Sequence, residues 1–128
     1  MKIRLQRGSV RFRLRQREVR MLVEEGRVVE EIQLDNALLR QILETGDAPP
    51  SVEIDGATVR ARIPVADTRA WQSGDEAGLY YNLPGGTRLM VEKDWACIEL
   101  PPGESNEDTF ARPERDTGGC GPGGAVED

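Results

Sequence analysis

Five arginines carry the most chemistry that this chain offers. Arg11, Arg13 and Arg15 alternate with apolar residues in Val10-Arg11-Phe12-Arg13-Leu14-Arg15, and Arg60 and Arg62 repeat the pattern in Thr58-Val59-Arg60-Ala61-Arg62-Ile63. Period-two alternation puts the guanidinium groups of each run on one face of a strand. Guanidinium groups on a sheet face can grip phosphate or carboxylate through paired N–H···O bonds. If the two runs share a surface, the five form an anion-binding face. The same residues have a structural role open to them. Glu31, Glu53, Asp55 and Glu92 alternate in neighbouring segments and would complete a cross-strand ladder of ion pairs. A barrel that turned these groups inward with Glu30 could hold a polyphosphate and a divalent metal. Triphosphate-tunnel enzymes do this with a Glu-x-Glu-x-Lys strand; no such strand occurs here, and Lys2 and Lys93 are the only lysines.

Other chemistry finds little support. The chain has no histidine, so Ser-His and Cys-His arrangements are excluded. Two cysteines without histidine do not make a structural zinc site. Cys97 falls on an expected strand as a small buried residue, and Cys120 sits in the Gly-rich run 118–124, where it would be exposed. That run lacks the Lys-Ser/Thr pair of a phosphate loop. The pairs Glu24-Glu25 and Glu30-Glu31 are sequence neighbours, which on a strand face opposite ways. No catalytic residue, metal or cofactor is implied. Trp71, Tyr80, Tyr81 and Trp95 are core and edge aromatics, with Tyr80 and Tyr81 available to a partner-binding patch.

The formal charge of −6 is unevenly spread. Residues 1–20 carry +7, residues 21–100 carry −8 and residues 101–128 carry −5. A basic segment in an acidic chain points to pairing across strands. The acidic remainder, and the lack of aromatics interleaved with the basic residues, disfavour nucleic acid. No apolar run suits a signal peptide or a membrane span, so the expected location is cytoplasmic and the thiols are expected reduced.

The elements that must position these residues come in two copies. Ile3, Leu5, Ser9, Val10, Arg11, Arg13, Leu14, Arg20, Leu34 and Ile42 have like residues forty-nine positions on, without a gap. Such a period means one supersecondary unit used twice. In the first unit, residues 2–14 predict a hairpin turning at Arg7-Gly8-Ser9. A helix over 16–25 ends at Gly26, and a strand runs over 27–34 with Glu30 breaking its alternation. Segment 37–44 has helical spacing, but the repeat maps it onto a strand, and strand is the reading adopted. Gly46-Asp47-Ala48-Pro49-Pro50 divides the units. The second begins with a hairpin around Asp55-Gly56, then a helix over Thr68–Ser73 capped by Asp67, then strands at 79–81 and 88–98. The expected fold is α+β: two tandem strand–strand–helix–strand–strand units, over 1–46 and 51–99, in one domain spanning 1–100, forming a twisted antiparallel sheet or a small barrel. Residues 101–128, with ten Pro or Gly, have the composition of a disordered tail in which Phe110 is solvated.

Met1-Lys2-Ile3-Arg4, the Arg11–Leu14 strand, the Val28–Ile32 stretch and Val91-Glu92-Lys93-Asp94-Trp95-Ala96-Cys97 resemble a family of short bacterial proteins known only as a domain of unknown function. Its members share an MKIR-type opening, a basic alternating strand, a VEKDFACL-like segment and an acidic tail with a phenylalanine. Trp95 stands here in place of the usual Phe. The resemblance spans about residues 1–110. It implies a bacterial origin and a small compact domain, and it assigns no catalytic residue. Two functions follow: a non-enzymatic protein-interaction or accessory module, whose partner is a protein or a second copy, or an anion, polyphosphate or nucleotide binder using the arginines.

Overall fold

A computed structural model describes residues 1–95 and 105–111. The chain order is β1 (Lys2–Gln6), β2 (Ser9–Leu14), α1 (Gln16–Glu25), β3 (Arg27–Gln33), β4 (Leu38–Gly46), β5 (Ser51–Asp55), β6 (Thr58–Pro64), α2 (Val65–Ser73), β7 (Gly78–Asn82) and β8 (Arg88–Lys93). The two-unit α+β arrangement therefore holds, and 37–44 is strand. Helical spacing in that segment gives way to pairing with a neighbour on each side, because tertiary context overrides intrinsic propensity.

The single antiparallel sheet or barrel is replaced by two mixed sheets. Sheet A has the order β1-β2-β8-β7 and sheet B the order β3-β4-β6-β5. Each unit contributes one hairpin to each sheet, and the inner strands of the two units meet in parallel, β2 with β8 and β4 with β6. A helix carries each unit from one sheet to the other. The exchange of hairpins lets the two units bury a shared core that neither could close alone. Val10, Phe12 and Leu14 of β2, Leu89 and Val91 of β8, Leu43 of β4 and Ala61 and Ile63 of β6 line it with Val19, Leu22 and Trp71 of the helices. Leu22 and Trp71 occupy matching places, as the forty-nine-residue period requires.

The gap-free period fails in the second hairpin of each unit. Ser9 lies beside Arg88 and Thr58 beside Arg40, so Arg40 and Arg88 are equivalent at a spacing of forty-eight. Helix α1 has ten residues and α2 has nine. The slip matters because one residue reverses the face of every side chain. The period of forty-nine would put Ile42 with Val91 in the core; Ile42 matches Met90, and both lie on outer faces. Helix α2 also begins at Val65, a turn before the expected start, with Pro64 at its N-cap. Asp67 falls inside the first turn and accepts the Tyr81 hydroxyl at 2.7 Å. Glu30, which breaks the alternation of β3, leaves the strand intact: the β3–β4 register is continuous, and the Glu30 carboxylate accepts a bond from the Met1 amine at 2.7 Å.

Residues 105–111 depart from the solvated tail. Arg15 is the N-cap of α1 and donates through its guanidinium to the carbonyls of Ser105 and Glu107. The free N-terminal amides of α1 are met by Asp108: its carbonyl accepts from Gln16 at 2.9 Å and its carboxylate from Arg17 at 3.1 Å. An arginine cannot cap a helix with its own side chain, so an acid from over ninety residues away does so. Phe110 packs edge-on against Trp95 with ring centroids 5.8 Å apart. Cys97, Cys120 and the 96–98 end of the expected last strand lie outside the described residues.

Candidate functional site

The five arginines are not brought together. Arg11 and Arg13 project from the outer face of sheet A, Arg60 and Arg62 from the outer face of sheet B, and Arg15 leaves the strand to start α1. Their hairpins belong to different sheets, because each inner strand takes its parallel neighbour from the other unit's second hairpin. Across sheet A the outer rows read Lys2, Arg13, Glu92, Gly78 and Arg4, Arg11, Met90, Tyr80. Across sheet B they read Ser51, Arg62, Glu44, Arg27 and Glu53, Arg60, Ile42, Val29. The repeat thus places a glutamate beside each second arginine and an apolar residue beside each first one.

The contacts form a ladder. In sheet B, Arg62 Nε lies 2.6 Å from Glu44, Arg60 lies 3.8 Å from Glu44 and 3.9 Å from Glu53, and Arg40 lies 2.6 Å from Glu31. Arg62 holds its proton more tightly than a free arginine, first through the Glu44 hydrogen bond. In sheet A, Arg11 Nε meets Glu92 at 3.1 Å, and Tyr80 donates to the same carboxylate at 2.8 Å. Burial, then Glu92, pushes the Tyr80 hydroxyl up to about 12. Equivalent positions differ in burial: the Arg11 side chain is 2% exposed and that of Arg60 30%.

A second polar cluster lies where β8 ends. Lys93 is buried, donates to the Gly74 carbonyl at 2.8 Å, and sits 5.9 Å from the Trp71 ring and 5.4 Å from the Phe110 ring. Burial lowers its proton affinity, against the opposing pull of Asp75 and Glu76. Below the ordinary value of 10.5 there is then a range in which the unfolded chain keeps a proton that the folded chain has released. Stability rises with pH across that range. Tyr80 and Tyr81 are shifted upward and act oppositely, lowering stability once unfolded tyrosines ionise. Urea unfolding of wild type and Lys93→Met from about pH 8 upward separates the two effects. The wild type should gain on the variant as pH rises; a constant difference would contradict the assignment.

The least satisfied surface belongs to sheet B. Of the eight exposed large apolar side chains among the described residues, four lie on the β3–β4 hairpin: Val29, Ile32, Leu34 and Leu38. Leu34 is 55% exposed and Val29 45%. Strand β3 is an edge, bonded to β4 alone among the described strands. The sequence hid this feature. Val28, Ile32 and Leu34 share a parity that reads as one buried face, yet only Val28 is buried, because the hairpin extends past the end of the core. Among the described residues no helix is long and apolar enough to cross a membrane.

A family described as a family of unknown function (DUF7009) matches residues 1–114, and the chain belongs to it. No curated protein and no solved structure matches the chain.

Proposed function

We propose that this protein is an interaction module without catalytic chemistry of its own, and that the open edge and apolar tip of the β3–β4 hairpin are its docking surface. The observation that carries this reading is the edge of β3, bonded to β4 alone among the described strands, on a hairpin that exposes Val29 and Leu38 on its outer face and Ile32 on the opposite one. A seven-residue edge strand also offers a row of N–H and C=O groups that a further strand can pair with. The arginines support the same reading by their geometry. They are divided between two sheets and stand beside carboxylates, an arrangement suited to a ladder rather than to a convergent anion site.

A photoreactive phenylalanine at Leu34 or Leu38, compared with one at the exposed Arg20 of α1, tests this. Expressed in a bacterial host, the hairpin positions should give discrete crosslinked species, to this chain or to another protein, that the Arg20 position does not give. Equal crosslinking at all three positions would defeat the reading.

A further inference from the structure

We infer that the partner at the β3 edge is a second copy of this chain, joined antiparallel about a two-fold axis at Val29; this rests on the docking surface proposed above. Alternate residues of a strand direct their backbone N–H and C=O to opposite sides. The bonds Leu34 N–H to Ala37 O (2.8 Å) and Thr45 N–H to Gly26 O (2.9 Å) assign the even positions of β3 to β4. Arg27, Val29, Glu31 and Gln33 therefore present their backbone groups to the open edge. A second β3 must pair odd positions with odd positions.

Among such registers, the one centred on Val29 places Arg27 opposite the partner's Glu31 and, by symmetry, Glu31 opposite the partner's Arg27. Val29 meets the partner's Val29. Centring on Glu31 would oppose two carboxylates, and centring on Glu30 would set Glu30 against its own copy and Val29 against Glu31. The chosen register also continues the ladder of sheet B. The row Arg62, Glu44, Arg27 is extended by the partner's Glu31 and the partner's Arg40, so charge alternates in sign across the junction. The middle row becomes Ile42 and Val29 followed by the partner's Val29 and the partner's Ile42, an apolar strip flanked by charge. Two four-stranded sheets join into one.

The other three edges lack this self-complementarity. The outward face of β1 carries Lys2 and Arg4, that of β5 carries Glu53 and Asp55, and that of β7 carries Gly78, Tyr80 and Asn82. Like charges opposite one another repel, so two β1 edges or two β5 edges oppose pairing, while β7 has no charged pair to fix a register. Only β3 among these edges holds both signs at positions that a two-fold axis exchanges.

The test uses charge reversal on the full chain. Arg27→Glu alone would set a new carboxylate against the partner's Glu31 twice, and Glu31→Arg alone would set arginine against arginine twice. Mixed, the two variants restore attraction at both contacts. Sedimentation equilibrium should show wild type dimerising between about 5 μM and 1 mM. Each variant alone should associate at least about tenfold more weakly, and their equimolar mixture should dimerise within about threefold of wild type. Circular dichroism confirms that each variant is folded before mixing. Wild type remaining monomeric up to about 1 mM, or a mixture no tighter than its separate components, would overturn the inference. Crosslinking of Leu34 to a different protein alongside a monomeric wild type would overturn it while leaving the docking surface in place. Crosslinking no stronger than at Arg20 would remove the docking surface itself.

Discussion

Arg11→Ala should lower stability by about 3–5 kcal/mol, whereas Arg60→Ala, at the equivalent place in the other unit, should cost no more than about 1 kcal/mol. Both arginines occupy the second position from the edge in an outer row, and each forms an ion pair with a glutamate, Arg11 with Glu92 and Arg60 with Glu53. Burial decides between them. Arg11 is 2% exposed and holds Glu92, itself 12% exposed, at 3.1 Å. Truncating Arg11 strips a largely buried carboxylate of its counter-charge and leaves a void in the sheet face. Arg60 is 30% exposed, its two carboxylate contacts are 3.8 and 3.9 Å long, and Glu44 keeps Arg62 at 2.6 Å when Arg60 is lost. Urea unfolding followed by circular dichroism measures both variants. Equal costs would mean that the two sheet faces are equivalent in energy as well as in topology.

Trp71→Ala should cost about 3–5 kcal/mol, while Trp71→Phe should change stability by less than about 1.5 kcal/mol. Trp71 is 1% exposed and closes the shared core from α2, where the first unit uses the smaller Leu22. Alanine leaves a cavity that two sheets and a second helix cannot collapse into. Phenylalanine keeps most of the ring and removes an indole N–H that has no hydrogen-bond acceptor among the described residues. A buried N–H without a partner carries a desolvation cost of about 1–3 kcal/mol, so its removal offsets part of the lost packing. The same urea series decides. A large loss with phenylalanine would mean that filling the volume of the indole outweighs the release of its unpartnered N–H.

Both predictions depend on the repeat, and the repeat was legible because its signal is local. Alternating arginines, the Asp55-Gly56 turn and the Gly26 cap each depend on a few consecutive residues, and each is found where period and turn chemistry place it. The sheet assignment was not legible. Nothing in Val10–Leu14 or in Thr58–Ile63 specifies whether the two hairpins pair with each other or with the second hairpin of the opposite unit. That choice rests on parallel pairing between segments far apart in sequence, such as β2 with β8. The one-residue slip between units left a trace that the gap-free period passed over. A spacing of forty-eight matches Arg40 with Arg88, Leu43 with Val91 and Glu44 with Glu92, whereas forty-nine sets Leu43 against Glu92. Burial of the inner strands on both faces weakens the alternation that would have made the slip plain.

The candidate site followed the same division. Glu92, the partner of Arg11, and Glu53, a partner of Arg60, were legible because they alternate in segments that neighbour the stripe, but Glu44, the acid shared by Arg60, Arg62 and Arg27, was hidden in a segment of helical spacing. Phe110 and Asp108 sit in a stretch whose composition signals disorder, and composition cannot show that an uncapped helix start elsewhere in the chain supplies a binding place. The exposed β3 edge was invisible for the opposite reason. Its apolar residues look like core until the fold shows that the core stops short of the hairpin tip.

Amide hydrogen exchange along β3, read residue by residue at two protein concentrations, tests the central claim most directly. The amides of Val28, Glu30 and Ile32 face β4, and those of Arg27, Val29, Glu31 and Gln33 face the open edge. Pairing of two copies through this edge predicts slow exchange at the even positions at every concentration. The odd positions should exchange fast in dilute protein and become protected as concentration rises. Odd-position amides that stay fast at about 1 mM would contradict the pairing of two copies, and odd-position amides already protected in dilute protein would contradict the docking surface itself, because the edge was never open.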